Sequence, residues 1–404
     1  MPGRWLGRRF VLLWSSTTAT NVADGISLAA FPLLAANLTD DALLIALVSV
    51  GRFLPFVLVG LPLGVVVDRS DRRTVVIVSQ ILRAGVSAVL AVLVATDRSS
   101  IWILVICAFV IGLGEVLTDS AGPAMVRQVV GRGELEVANA RLATTQTVAN
   151  WFVGPPVGAA LFVLAPWVPF AAVVIAFALG TSLITVVPGS FRPETATEPV
   201  QIRTEVGVGL RYVWSHPVLR PLALAVAAFA FLDAAGMAVF VVLVTERLGL
   251  GEVGFGLLLT ADATASTVMS LVVAGLIARW GHANNMRFSV VTFGVSSLVL
   301  GLTQNVAVAV AAVVLAGAGN PSWNVVSTTL RQRLVPDEVF GRMMTAYLFI
   351  AWGVTPLGAL TGGIVAESIG VEWVFLLQAP ATLLLYLGAR PLFRAVEDAT
   401  ATDD

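Results

Sequence analysis

The stretch Gly64-Val65-Val66-Val67-Asp68-Arg69-Ser70-Asp71-Arg72-Arg73 ends in five charged side chains, and both of its flanks are apolar: Leu43 to Val67 before the charges, Thr74 to Ala95 after them. A helix needs roughly 20 mostly apolar residues to cross the hydrocarbon core of a bilayer, and each flank has them. A charged turn between two such runs reads as a helical hairpin that spans a membrane twice. Strands are a poorer reading, because a membrane strand needs only about 9 to 11 alternating residues and must close into a barrel.

Working outward with the same rule, and cutting at Pro, Gly and charge clusters, gives twelve apolar segments. The others in the first half are Phe10 to Ala35, Ile101 to Met125, Leu142 to Leu164 and Val168 to Val187. The second half gives Val218 to Val244, Val253 to Ala278, Phe288 to Leu302, Val306 to Val326, Met343 to Ala366 and Val371 to Ala389, the ninth segment being the shortest. Composition agrees: 57% of the 404 residues are hydrophobic and 12% charged, against roughly 25% charged in an average soluble domain. The fold class expected is therefore all-α membrane, with twelve transmembrane helices. Arg4, Arg8 and Arg9 precede the first run as in a signal peptide, but the run is long and lacks a small-residue cleavage pattern, so it reads as a retained span.

All 24 basic residues are arginine. Twenty lie on the N-terminal side of the membrane, only Arg98 and Arg247 lie opposite, and Arg52 and Arg83 fall within spans. The opposite turns carry Asp40, Asp41, Asp97, Glu246, Glu252, Glu367 and Glu372. This asymmetry predicts both termini on the cytoplasmic face of a multi-pass cell-membrane protein. The formal net charge of -1 offers nothing to attract nucleic acid.

The longest polar stretch, Pro188 to Pro217, has six segments on either side. The domains expected are residues 1–190, a linker at 191–217 and residues 218–404, the last ending in an acidic tail. Within the linker, Val206, Leu210, Val213 and Trp214 recur at helical spacing and predict a short amphipathic helix on the inner leaflet or against the bundle. The halves echo each other. Val126-Arg127-Gln128-Val129-Val130 with Glu134 matches Leu330-Arg331-Gln332-Arg333-Leu334 with Glu338 at a constant offset of 204. Gly154-Pro155-Pro156-Val157-Gly158 likewise answers Val354-Thr355-Pro356-Leu357-Gly358. Duplicated six-helix halves suit a transporter that alternates access to a site between its repeats.

The turn between the second and third segments resembles the major facilitator superfamily signature G-x-x-x-D-R-x-G-R-R, with Asp71 in place of one glycine. Together with Gly209-Leu210-Arg211-Tyr212-Val213-Trp214-Ser215-His216-Pro217 it looks like the drug:proton antiporter branch that includes macrolide-efflux proteins and the enterobactin exporter. The resemblance implies two pseudo-symmetric six-helix bundles around a central cavity. It also implies a conformational latch at Gly64, Asp68, Arg69, Arg72 and Arg73. The echo in the second half, Gly275 to His282, carries Arg279 where the acid would stand. Gly154, Pro155, Pro156 and Gly158 resemble the glycine-proline motif of antiporters, which implies export; small-residue packing is the alternative reading.

A charge in mid-bilayer costs at least about 2.5 kcal/mol, so ionisable residues inside the spans are candidates for function. They are Asp24, Arg52, Arg83, Glu115, Asp119, Asp233 and Asp262. Counting helical rise puts Asp24 and Arg52 at similar depth, so that they can pair. Glu115 and Asp119 share a face within reach of Arg83, leaving one negative charge uncompensated. Proton coupling is expected of Asp24, Glu115, Asp119 and Asp233. Substrate binding is expected of Asp24, Arg52, Glu115 and Asp233 together with Asn320, Trp323 and Asn324, whose helix is interrupted by Pro321.

No enzyme constellation stands out. His216 and His282 lack spaced metal-ligand partners, the single Cys107 sits in an apolar run, and a chain without lysine cannot complete a P-loop. The expectation is a monomeric, proton-coupled exporter of a small organic compound of the drug, antibiotic or siderophore type. Its partners are that small-molecule substrate, protons and membrane lipid, with no cofactor and no metal. A nutrient importer or facilitator of the same fold is the alternative, and a polytopic membrane enzyme or receptor is a more distant one.

Overall fold

A computed structural model describes residues 6–60, 63, 67, 69–189, 191 and 202–401. Every regular element among them is helical. In chain order they are α1 (Gly7–Leu38), α2 (Ala42–Leu58), α3 (Arg72–Ala95), α4 (Ile101–Val129), α5 (Leu135–Thr147), α6 (Gly154–Leu164) and α7 (Val168–Thr185). The second half holds α8 (Ile202–Ser215), α9 (Leu219–Val242), α10 (Glu252–Leu302), α11 (Val306–Leu334), α12 (Asp337–Gly353), α13 (Thr355–Ile369), α14 (Val371–Gly388) and α15 (Arg390–Ala401). A wide π-turn at Val148–Val153 joins α5 to α6 as one span, and another at Leu243–Arg247 extends α9.

Ten of the described helices are long and apolar enough to cross a membrane. The expected twelve rest on two further features. Ala42–Leu58 is a shorter apolar helix, and the 51-residue α10 is broken at Gly281, whose φ of 76° and ψ of 166° no helix accommodates. The expected loop between Ala278 and Phe288 shrinks to that one glycine. The ninth segment gains length because helix resumes at His282.

Capping shows why several helices start where they do. The Asp71 carboxylate accepts from the Thr74 N–H at 3.2 Å, so the acid that departs from the superfamily signature caps α3. Asn305 likewise caps α11, accepting from Ala307 and Val308. Leu164, Ile175, Leu271 and Leu384 are 69–81% exposed. An aqueous surface would bury such side chains; a lipid-facing one presents them.

The chain forms two compact units: Met1–Asp40, Leu47–Pro199 and Gly251–Thr260 in one, Asp41–Ala46, Val200–Leu250 and Ala261–Asp404 in the other. One core of the first unit gathers Phe10, Val76, Met125, Ile184 and Phe191. Phe191, fully buried, lies beneath the Arg9 and Arg73 guanidiniums at 5.9 and 5.7 Å. The core of the second unit gathers Leu222, Met286, Leu330, Met343 and Phe393. Cys107 on α4 is buried, 6% exposed.

The linker helix has formed as α8, but its expected apolar face is only partly used. Val213 is buried, whereas Leu210 and Trp214 are 41% and 50% exposed. The contact instead runs through Gly209, where a Cβ would strike the backbone of Arg342, and through Tyr212, whose hydroxyl donates to the Leu334 carbonyl at 3.4 Å.

Candidate functional site

Glycines set the geometry of the first unit's polar cluster. Gly112 on α4 lets the backbone of α2 approach at Arg52. A Cβ on Gly114 would lie 2.6 Å from the Cγ and Cδ of Arg83, so the missing side chain is the groove in which that arginine lies. Ser79, one turn before Arg83 on α3, donates to the Gly114 carbonyl at 2.7 Å and locks the two helices together. On the far side the Arg83 guanidinium stands 4.4 Å from the centre of the Phe177 ring, an attractive contact for a desolvated cation.

Arg83, 2% exposed, donates through Nη2 to Asp24 Oδ1 on α1 and, at 3.4 Å, to Glu115 Oε1 on α4. Glu115 Oε1 also accepts from Arg52 Nη2 at 2.5 Å. Two acids and two bases thus form a formally neutral chain, Asp24–Arg83–Glu115–Arg52. Side-chain exposures of 14–19% for Asp24, Glu115 and Arg52 leave those three groups partly accessible.

One sequence expectation changes here and another narrows to a single residue. Asp24 pairs with Arg83 and not with Arg52, because helical rise fixes depth while the glycine grooves fix which way a side chain points. The one excess negative charge expected from Glu115, Asp119 and Arg83 falls on Asp119, because Arg83 and Arg52 are both taken up by Asp24 and Glu115. Asp119 is exposed and lies outside the ion pairs.

The glycine-proline segment borders this network. Gly154, Pro155 and Gly158 are buried, and Pro156 is partly so. A Cβ on Gly25, next to Asp24, would lie 2.8 Å from the Gly154 Cα and 2.5 Å from the Ala149 carbonyl. Gly158 would meet the Ile26 carbonyl at 2.6 Å. The segment is therefore the socket for α1 at the level of Asp24.

The second unit repeats the packing with other chemistry. Ser289 donates to the Gly319 carbonyl at 2.7 Å, as Ser79 does to Gly114. Gly317 makes room for the backbone of Asp262 as Gly112 does for Arg52, and Gly358 meets Phe231 as Gly158 meets Ile26. These pairs give the register: Asp24 corresponds to Phe229, Arg52 to Asp262, Arg83 to Phe293, Glu115 to Asn320 and Asp119 to Asn324. Phe229 and Phe293 meet edge to face at 5.6 Å, and Phe229 lies 4.7 Å from Trp323.

Trp323, expected among the substrate-binding residues, is 8% exposed and packs in the core of the second unit. Asn320 and Asn324 are exposed and share an amide hydrogen bond. Asp233 is exposed, Asp262 half-buried, and neither carries an ion pair among the described residues. Phe229, Phe293 and the glycine grooves were missed in the sequence, because the echoes quoted there run at offsets of 204 and 200, whereas Asp24, Gly112 and Gly114 stand 205 residues from their counterparts and Arg83 stands 210.

Of the latch residues, Gly64 and Asp68 lie outside the described residues. Arg69 is exposed. Arg73 donates to the Val187 carbonyl at 2.8 Å, and the backbone N–H of Arg72 to the Phe191 carbonyl at 3.2 Å.

A helical membrane fold in two units with one ionic cluster defines a transporter of the major facilitator type. The chain belongs to the family described as transmembrane secretion effector, which it matches over residues 6–403. It is 26% identical to the multidrug efflux pump Tap of Mycolicibacterium fortuitum over 94% of both chains. It is 22% identical to macrolide efflux protein A of Streptococcus pyogenes over 92% of both. In fold it is similar to the nucleoside transporter NupG, with a TM-score of 0.76 at 13% identity over 96% of this chain and all of that one. A bacterial ferroportin homologue in its inward-facing state gives 0.76 at 17% identity over 97% and 99%. These are transporters and not enzymes.

Proposed function

We propose that this protein exports a small organic compound of the drug, antibiotic or siderophore type across the cell membrane in exchange for protons, by alternating access and as a monomer with both termini in the cytoplasm. The efflux activities in its relatives' names support the direction, and the arginine asymmetry supports the orientation. The observation that carries the coupling is the neutral chain of Asp24, Arg83, Glu115 and Arg52 in a sparsely hydrated place.

A proton on Asp24 or Glu115 leaves a guanidinium without its counter-charge. Breaking a buried ion pair by neutralising one partner costs about 3–5 kcal/mol. Proton binding is therefore tied to a rearrangement that gives the arginine a new partner or opens it to water, and that differential is what shifts a two-state equilibrium. Asp119 and Asp233, both exposed, join Asp24 and Glu115 in this reading as proton-exchanging carboxylates. Asn320 and Asn324 offer the substrate amide donors and acceptors, while Arg69, Arg72 and Arg73 belong to the latch with Gly64 and Asp68.

The test uses an efflux-deficient host with and without an uncoupler. Asp24→Asn and Glu115→Gln each abolish proton-driven efflux while substrate binding or exchange stays measurable. Full efflux after both substitutions would sink the coupling role.

A further inference from the structure

We propose that Arg287, Arg390 and Arg394 form a binding site for a phosphate group, carried by an anionic phospholipid, at the arginine-rich end of the second unit. The site is independent of what the protein transports.

α15 begins immediately after the last apolar helix. Its Leu392, Phe393 and Val396 are at most 1% exposed and lock it into the core, while Arg390 and Arg394, four residues apart, share its exposed face. Arg287 approaches from the second segment of α10 and stands 5.3 Å above the Phe393 ring. Its Nη1 donates to Asn284 Oδ1 at 2.6 Å and to Glu397 Oε1 at 2.7 Å, which leaves Nε and Nη2 for another acceptor. Together with Tyr386 and Phe393 the three arginines line a cavity of about 330 Å³.

Three guanidiniums here face one bound carboxylate, and neither Arg390 nor Arg394 makes an ion pair among the described residues. Cations gathered this way repel unless an anion joins them, and the planar guanidinium fork matches phosphate oxygens. The neighbourhood favours a lipid as the source of that phosphate. On α14, beside Tyr386, Leu383, Leu384 and Leu387 are 58%, 70% and 40% exposed, an apolar strip for an acyl chain next to a basic cavity for its headgroup.

The full-length protein is purified in a neutral detergent, and its apparent affinity is measured for phosphatidylglycerol, for diacylglycerol and for inorganic phosphate, by native mass spectrometry and by thermal shift. Phosphatidylglycerol is expected to bind and diacylglycerol not. The double substitution Arg390→Gln with Arg394→Gln weakens binding by about tenfold or more, the scale of a lost charge-assisted hydrogen bond. Glu397→Gln, at a side chain 49% exposed, tightens binding by freeing Arg287 and guards against misfolding of the arginine variants. Binding of inorganic phosphate alone, lost in the double variant, supports the phosphate site and assigns it to a free anion. Phosphatidylglycerol affinity unchanged in all variants, or equal affinity for diacylglycerol, overturns the proposal.

Discussion

Asp24 and Arg83 in the first unit stand where Phe229 and Phe293 stand in the second, on helices that pack through the same serine-to-glycine hydrogen bond and the same glycine notches. One pair is an ion pair, the other an edge-to-face aromatic contact. Arg52 is likewise answered by Asp262, and Glu115 with Asp119 by Asn320 with Asn324. Duplication has kept the backbone architecture, which glycines enforce, and divided the chemistry. The first unit holds a compensated charge network, the second a packed aromatic cluster beside neutral amides and unpaired carboxylates. Stability does not demand the ionic version, since buried ion pairs are often matched or exceeded by packed apolar groups. Its presence in one unit only is what the proposed coupling role accounts for.

The largest effect comes from breaking the ionic side of this comparison. Arg83→Leu strands Asp24 and half-strands Glu115, and is expected to destabilise the protein by about 3–5 kcal/mol and to abolish transport, measured by thermal unfolding in detergent and by efflux. Rebuilding the site in the image of the other unit separates the two losses. Asp24→Phe with Arg83→Phe recovers most of the stability and none of the transport. A double variant that still transports would mean the ion pair is only architecture.

A middle-sized effect tests the shared side. Gly158→Ala drives a methyl into the backbone of Ile26, and Gly358→Ala drives one into the backbone of Phe231. Neither obstacle can rotate away, so each substitution costs about 1–3 kcal/mol of overpacking, read as similar drops in unfolding temperature. Strongly unequal drops would show that the packing is not equivalent after all.

The smallest effect lies at the start of α9. His216 Nδ1 accepts from the N–H groups of Val218 and Leu219 at 3.2 and 3.3 Å, and burial pushes the imidazole below its usual range. The fold favours neutral His216, so its contribution is present above the unfolded value near 6.5 and fades as pH falls through the lower folded one. His216→Ala should flatten a slight loss of thermal stability below about pH 6, with no counterpart in the first unit.

Much of this was legible in the sequence. Run lengths gave the spans, arginine asymmetry the expected orientation, and the Gly64 to Arg73 turn the superfamily. The depths of Asp24, Arg52, Arg83 and Glu115 also follow from helical rise. Their pairing does not, since depth leaves rotation about the helix axis open, and that rotation is set by which helix fills the grooves at Gly112 and Gly114. The same blindness affects Trp323, whose place beside Pro321, Asn320 and Asn324 is legible in the sequence while its packing on Phe229 is not. The brevity of the ninth segment was a false signal, because a single left-handed residue, Gly281, ends one helix and starts the next without a loop.

Cys107 carries an experimental consequence. It is the only thiol in the chain and lies buried on α4, where a cysteine in apolar surroundings is slow to react. The native protein is therefore already close to a blank for maleimide chemistry. Cysteines introduced at exposed positions can take a fluorophore or spin label without first removing a native one, so opening and closing can be followed spectroscopically in a protein whose ionic network is untouched.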